Sequence, residues 1–488
     1  MMKPSRLHPL ALVLMIGGSL IKYSPVFIFG FWRDFAHGTL NQEDVLSTAA
    51  LLAIVAGLIA LASLVRYWRF RYTLGTSGIT IESGLWRKQS THIPYANIQT
   101  LQRQQWFFLQ PFGLERLSIE TAGKADKKAE ATLAAVPTRV AVAIEAHRHP
   151  DQPVTPTAAD APDHTYTADA HALNLYALTS LGVIPIITGL LWLVNKADDL
   201  APKAWVASVE ATLAHLALAL TLGLAVLVLV LGMGLSYLNL WQKYYRFTLT
   251  ATGETLTTTR GLLARNTVSV RTQRIQAVRA KASILRQWCH LTTVQGLTAS
   301  RAADDESDDD LVLMPVVTTA KVLATMQPFI AWLPATMPPL TRPVATTRWR
   351  FARNAAMGYA IVAGLALVAS WLWWPPGRLW VTGGAGLLLV LGTAQGAYAA
   401  RQTGVAVLDT NRIVAQSGHW FAQETFFIRR ATVQTVSRAQ SLWMAPLGLT
   451  HLTLNLRKGN GNEAVTLKYL NAATVTAVMT WFQPHDSH

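Results

Sequence analysis

One cysteine, Cys289, stands in a chain of 488 residues. A lone thiol cannot close an intramolecular disulfide, and it excludes paired-cysteine metal and redox sites. Charge is scarce as well: 14% of residues are Asp, Glu, Lys or Arg, against about 25% in soluble domains. The sequence holds no P-loop, no G-x-S-x-G, no H-E-x-x-H and no G-x-G-x-x-G at a strand–helix turn. Its 13 histidines are scattered. No catalytic, cofactor or metal residue stands out, so the chain reads as a non-enzyme without cofactor. A cleaved signal peptide is not expected, because no small-residue cleavage site follows the first apolar run after Lys3 and Arg6.

What the sequence does have is long apolar runs. Half of it is apolar (51%) and its mean hydropathy is +0.26. A membrane-spanning helix needs about 20 mostly apolar residues, because hydrocarbon offers the backbone no hydrogen-bond partner. Five runs qualify: Ser47–Val65, Ala172–Val194, Ala211–Trp241 with its span near Leu213–Tyr237, Asn354–Trp374 and Leu379–Ala400. A sixth, His8–Trp32, carries Lys22 and Pro25. A mid-bilayer charge costs about 2.5–3.5 kcal/mol on insertion scales, so either Lys22 faces the bundle or the span starts later. We expect a span within residues 8–32. The runs group into three hairpins.

A stretch of short alternating strands follows each hairpin, and the three stretches align. Gly84, Gly261 and Gly418 open them. Ile98 and Ile275 lie 14 residues beyond their glycines, and Val433 lies 15 beyond, a one-residue insertion. Gln99, Gln276 and Gln434 follow, then Leu114, Leu291 and Leu449. The openings recur after 177 and then 157 residues, which means duplicated domains rather than a solenoid of short repeats. Period-two alternation punctuated at Ser77-Gly78, Thr252-Gly253 and Thr410-Asn411 predicts antiparallel hairpins. Helical patterns close the units at Thr138–His147, Thr318–Leu333 and Ala472–Phe482, before Pro150, Pro334 and Pro484.

Two hydrophobic segments followed by Arg71-Tyr72-Thr73-Leu74, Gly78–Ile81, Gly84-Leu85 and Ile93-Pro94…Ile98-Gln99 resemble the bacterial pleckstrin-homology-like (PH-like) domain, once a family of unknown function. The threefold arrangement is similar to the YdbT-type membrane proteins of Gram-positive bacteria. Arg271 and Arg429 occupy the proline position in the second and third copies. The resemblance implies an integral membrane fold with six transmembrane helices in three hairpins. These alternate with three cytoplasmic α+β PH-like domains, each a small antiparallel β-barrel plus a C-terminal helix. The expected boundaries are hairpins at 1–66, 171–242 and 351–400, and PH-like domains at 67–149, 243–334 and 401–484. Linkers are expected at 150–170 and 335–350. The resemblance also implies a role in envelope stress or resistance to membrane-active peptides, beside a smaller homologous membrane protein or a second copy.

An even number of spans separates successive units, so all three lie on one side. Lys3, Arg6, Arg66, Arg69, Arg71, Lys243, Arg246, Arg348, Arg350, Arg353 and Arg401 flank that side. Arg33, Lys196, Lys203 and Arg378, mixed with Asp34, Glu43, Asp44, Asp198 and Asp199, flank the other. The positive-inside rule makes the units and the N-terminus cytoplasmic. Trp68 and Trp241 fit an aromatic belt.

Net charge is +15, which in a membrane protein favours anionic headgroups over nucleic acid as the partner. The densest basic stretch holds Arg260, Arg265, Arg271, Arg274, Arg279, Lys281 and Arg286. Arg271, Arg274, Arg279 and Lys281 are therefore the candidate lipid- or partner-binding residues, with a solvated face balanced by Asp304–Asp310 as the alternative. Glu210 and His215 read as interfacial, and Asp304–Asp310 as a loop lacking EF-hand spacing. Gly392 and Gly396 read as a helix-packing face, and Cys289 as structural. A membrane scaffold binding a protein or anionic headgroups is the first functional reading. A small-solute or peptide transporter or exporter component is the alternative, and a membrane enzyme the third.

Overall fold

In the computed structural model, residues 4–36, 42–84, 88–121, 131–148, 162–179, 217–298, 310–373, 377–458 and 461–483 are described. Unit 1 opens with two long helices, α1 (Leu10–Ala36) and α2 (Gln42–Arg69). Arg66 and Arg69 end α2, where cations complement the exposed carbonyls of a helix C-terminus. Six strands follow: β1 (Arg71–Leu74), β2 (Gly78–Ser83), β3 (Gln89–Pro94), β4 (Ile98–Trp106), β5 (Leu114–Thr121) and β6 (Ala131–Pro137). Helix α3 (Thr138–Arg148) closes the unit. Ile79, Ile93, Leu101, Leu117, Ile119, Leu133 and Ile144 fill one core between the two halves.

Unit 2 repeats the plan with β7 (His164–Thr167), α4 (Ala170–Leu178), α5 (Ala217–Tyr244), β8 (Thr248–Thr252), β9 (Thr255–Arg260), β10 (Ala264–Arg271) and β11 (Ile275–Ala282). A short α6 (Ile284–Trp288), β12 (Leu291–Thr298), β13 (Leu311–Thr318) and α7 (Val322–Met326) complete it. Unit 3 comprises α8 (Trp349–Trp373), α9 (Arg378–Gln402), β14 (Gly404–Val407), β15 (Arg412–His419), β16 (Ala422–Arg429), β17 (Val433–Ala439), β18 (Leu449–Lys458), β19 (Gly461–Asn471) and α10 (Ala472–Phe482).

Ala49–Arg69, Ala345–Trp373 and Arg378–Gln402 are long and apolar enough to cross a membrane. The pair α8–α9 packs closely because Gly392 and Gly396 let it. A Cβ at Gly396 would lie 2.4 Å from the Phe351 carbonyl oxygen, and one at Gly392 would meet the Tyr359 ring, the close approach that small residues permit. Most of the run Ala172–Val194, together with Glu210, His215 and Asp304–Asp309, lies outside the described residues.

The strands depart from the expectation of one small barrel per unit. Strands β3 and β4 are consecutive but do not pair with each other. The sheets are β1-β2-β3, then β6-β5-β4-β10-β9-β8-β7, then β13-β12-β11-β16-β15-β14, then β17-β18-β19. Each internal sheet is thus half one unit and half the next. The reason is geometric: a 3-10 turn at Tyr95–Asn97 sends β4 onto the opposite layer, which leaves the outer edges of β4 and of β3's counterpart in the next unit free to meet.

Two other expectations need correction. The stretches taken as linkers contribute to sheets: β7 pairs with β8 through Tyr166↔Leu249, and Thr341 bridges Val405. Ser5 bridges Tyr72 in the same way. Tyr72, Leu249 and Val405 oppose Ile81, Thr258 and Ala415, three equivalent positions. The backbone entering each helix pair is therefore bonded to the backbone leaving it. The second correction concerns the closing helix of unit 2, expected over Thr318–Leu333. It is only α7, because Pro328 has no N–H to continue the ladder and disfavours helix at the residue before it.

Candidate functional site

Two regions of the fold concentrate polar and aromatic side chains that the cores do not need. The first is the pair of junctions between units. At the unit 1–2 junction, β10 lies antiparallel on β4 from Ala264↔Trp106 to Val270↔Thr100. Hydrogen bonds with one charged partner each flank it. Arg271 Nη2 donates to the Arg148 carbonyl (2.9 Å) at the end of α3, and Ser269 Oγ donates to Glu145 Oε1 (3.3 Å). Arg148 is itself buried and donates to the Gln99 carbonyl (3.2 Å). Burial pulls its guanidinium down to about 10, still charged at neutral pH.

At the unit 2–3 junction, β16 lies on β11 from Ala277↔Ile428 to Ala282↔Gln423. An ion network crosses it. The Arg279 side chain, 7% exposed, pairs with the fully buried Asp310 carboxylate. It also donates to Gln295 Oε1 (3.0 Å) and lies 3.6 Å from Glu463 of unit 3. Lys281 pairs with Glu424 of β16 (3.0 Å), and Lys458 pairs with both Asp310 and Glu463 (3.2 Å each). Burial raises the Asp310 carboxyl despite Arg279 and Lys458. At Glu424 burial pushes up, but Lys281 and Arg279 outweigh it and hold the carboxyl low. At Lys458 burial pushes down, but Asp310 and Glu463 prevail and raise the ammonium.

The second region is a row of loops at the helix-bearing end of the units. The turns β4–β5, β11–β12 and β17–β18 are equivalent, and each exposes large apolar side chains. Phe107 and Phe112 do so in unit 1, Trp288 in unit 2, and Leu442 and Trp443 (81% exposed) in unit 3. They sit beside helix ends. The Phe112 ring is 6.4 Å from that of His8, just before α1. The Phe107 amide donates to Leu263, whose neighbour Leu262 donates to Gln242 at the end of α5. The Arg286 guanidinium stacks 4.0 Å over Tyr176 of α4. Trp443 and Met444 line an open cleft with Arg350 and Arg353 of α8.

Left-handed backbone recurs at these turns. Gly113 and Gly448 take φ +60 before β5 and β18, and His290 takes φ 53 at the same position in unit 2. The inserted residue of unit 3 creates a two-residue hairpin turn, Trp420-Phe421, with φ 49 and 57, a conformation that favours Asn-Gly. The rings hold it: Trp420 meets Tyr359 at 6.2 Å and Phe421 meets Tyr398 at 5.8 Å. A cleft of about 910 Å³ lies there between the α8–α9 pair and unit 3. Among the described residues no three His, Cys, Asp or Glu side chains come close enough to hold a metal.

The family model for the bacterial PH domain matches residues 19–150, 204–330 and 328–485, one match per observed unit. The chain belongs to the bacterial PH domain family. It is similar to the UPF0699 transmembrane protein YdbT of Bacillus subtilis (strain 168), 24% identical over 347 residues, covering 67% of this chain and 70% of that one. No solved structure matches significantly. The chain is a membrane protein carrying repeated bacterial PH domains.

In these bacterial PH units, the four basic residues nominated from the sequence do not form one open face. Arg271 is used at the first junction, while Arg279 and Lys281 are used at the second. Arg274 is exposed. Alternation along β11 did place Arg279 and Lys281 on one side, but that side faces the carboxylates of unit 3. The aromatic turns went unnominated, although Trp106-Phe107-Phe108 and Leu442-Trp443-Met444 are apolar triplets inside otherwise polar sequence. Lys22 is exposed on α1 with its ammonium 5.8 Å from the Tyr23 ring. Cys289 is exposed just past α6.

Proposed function

We propose that this chain is a non-catalytic membrane scaffold whose PH-like units form one bar along the cytoplasmic face of the membrane and bind a protein partner there. The observation that carries this reading is the sharing of sheets between successive units. A bar made this way cannot flex at its unit boundaries without breaking a backbone ladder. Three helix pairs, six spans in all, hold the bar to the bilayer. That count is supported by the bonding of each pair's entry and exit strands. The exposed aromatic turns beside basic helix ends suit the interfacial layer, where Trp and other amphipathic rings are enriched. Anionic headgroups attract the same basic ends by about 1 kcal/mol per charge. A role in envelope stress or resistance to membrane-active peptides is compatible with a scaffold of this kind.

Two experiments test the reading. Purification of the full chain in mild detergent, with identification of what accompanies it, is expected to yield a protein in fixed ratio. A chain that emerges alone, and enriches no protein after crosslinking in cells, sinks the scaffold. Cysteine labelling at Lys128, Asp308 and Gly461 in a Cys289→Ser background tests the orientation. All three positions are expected to resist an impermeant reagent in intact cells, and labelling of any one contradicts the even-span topology.

A further inference from the structure

The two junctions obey one rule. Leu101 opposes Ser269 in the first, and Val278 opposes Phe427 in the second. Counted from the unit glycines, Leu101 and Val278 are the same position, and so are Ser269 and Phe427. The operation that carries unit 1 onto unit 2 therefore carries unit 2 onto unit 3. Such a series has two unused ends. At one, β3 is the counterpart of β10 and β16. At the other, β17 is the counterpart of β4 and β11. Among the described residues β3 pairs only with β2, and β17 only with β18.

The unused edges look different from the used ones. In β10 and β16 the residues Val268–Val270 and Thr425–Ile428 are buried, whereas Gln89, Ser90 and His92 of β3 are exposed. In β4 and β11 the residues Ile98–Gln102 and Ala277–Arg279 are buried, whereas Gln434, Thr435 and Ser437–Ala439 are exposed. An exposed edge presents unpaired N–H and C=O groups and is a template for another strand. Pro94 does not obstruct it. Its counterparts Arg271 and Arg429 lie one residue past the last pair of each junction, so the missing N–H falls outside the ladder.

We propose that β17 of one molecule pairs with β3 of a second copy of this chain, in the register of the internal junctions. His92 then opposes Val436, with Gln89 to Ile93 facing Ala439 to Thr435. The second copy is the occupant that fits, because the joint repeats a junction this chain already makes twice. The same operation keeps the next molecule's helix pairs on the same side, so one bilayer can hold both. The contact is head-to-tail, and the joined pair keeps one free edge of each kind, β3 on one copy and β17 on the other. Such interfaces either close into a ring or continue as a filament. The proposal rests on the scaffold reading only for what the assembly is for.

The test is disulfide trapping of the full chain in native membranes, with Cys289→Ser as background. Directly opposed antiparallel residues have Cα atoms about 4.5–5.5 Å apart, within disulfide reach. His92→Cys combined with Val436→Cys is expected to give a ladder of dimer, trimer and higher species on mild oxidation. Two single-cysteine chains expressed together are expected to give dimer only. Thr91→Cys with Val436→Cys is the control, because a one-residue slip turns the side chains to opposite faces. The proposal is overturned if the His92–Val436 pair gives no ladder in protein whose detergent elution matches wild type. It is equally overturned if the slipped pair crosslinks as well. Trapping of a different protein at either cysteine overturns the second copy as occupant and leaves the scaffold standing. No ladder and no co-purified protein removes both readings.

Discussion

The two internal junctions share a backbone register and differ in everything attached to it. Between units 1 and 2 the strands are held by the ladder and by hydrogen bonds from Arg271 and Ser269 to α3. Between units 2 and 3 the same ladder is crossed by six ionisable side chains, with Asp310 fully buried among them and Glu424 and Lys281 at the margin. Backbone pairing sets where the units meet, and side chains set how much a single loss costs. Each bond at the first junction has one half-buried partner, Arg271 or Glu145, that water can reach when the bond is lost. A buried carboxylate stripped of its cation cannot be rehydrated without opening the joint.

The largest predicted difference between the junctions comes from Arg279→Met. It leaves Asp310 with Lys458 alone as its cation, and breaking a buried pair costs up to about 3–5 kcal/mol. The unfolding midpoint of the detergent-solubilised chain is expected to drop sharply. Adding Asp310→Asn should recover a large part of the loss, since the buried charge goes with it. If the double variant is no better than the single one, the cost lies in packing rather than charge.

Arg271→Met, at the other junction, removes one charge-assisted hydrogen bond to a carbonyl, worth about 1.5–3 kcal/mol at most. Hydrogen exchange at the β4 and β10 amides is the sensitive readout, because it registers local opening below the global midpoint. An effect equal to that of Arg279→Met would erase the distinction drawn here.

The dependence on pH should also separate the joints. Lys458 is raised above 10.5, so its contribution is fully present below that value and is lost as pH rises through the folded value. Glu424 is held below 4.5, so its contribution is present above 4.5 and is lost as pH falls through the folded value. Asp310 is raised above 3.8 and works against Glu424 on the acid side, since its protonation favours the folded state there. Alkaline loosening should therefore be the cleaner signal. Exchange at β11 and β16, corrected for intrinsic rate, is expected to speed up above about pH 10.5 in the wild type and to be flat in Lys458→Met. Acceleration of equal size at β4 and β10 would show that Lys458 is not the cause.

The smallest effect belongs to His290→Gly. A left-handed residue other than glycine costs about 1–2 kcal/mol, offset in part by the greater unfolded-state freedom of glycine. A gain of up to about 1 kcal/mol in unit 2 is expected, and Gly448→Ala should lose a similar amount in unit 3. A loss on His290→Gly would mean that the imidazole makes a contact its strain supports.

Much of this architecture is legible in the sequence. Turn dipeptides and the recurring glycine, β-branched and glutamine positions marked a unit used three times, and uncharged runs marked the helices long and apolar enough to cross a membrane. Period-two alternation revealed strands, but it says nothing about which edge a strand uses, so sheets shared between units went unread. One clue was present. Thr425-Phe426-Phe427-Ile428 is apolar on both faces, as a strand buried inside a sheet must be, and Ile93 of β3 is flanked instead by His92 and Pro94. The nominated basic residues illustrate the same limit. Arg279 and Asp310 are 31 positions apart, and Asp310 closed an acidic run that looked solvated, so neither announced the other. Pro328 was readable as a helix stop and lay inside a pattern whose apolar residues continued past it.

The bonding of entry strand to exit strand also bears on how the chain is made. Ser5 bonds to Tyr72 across α1 and α2, and Tyr166 to Leu249 across α4 and α5. A ribosome delivers the first partner long before the second, and on the six-span topology proposed above the segment between must be threaded into the bilayer in the meantime. No unit can seal its sheet until its own helices have gone in and come back. Completion of each unit thus reports that the preceding insertion went to plan. A pair of which only one helix has inserted leaves its two partner strands on opposite sides of the membrane, and that sheet cannot seal.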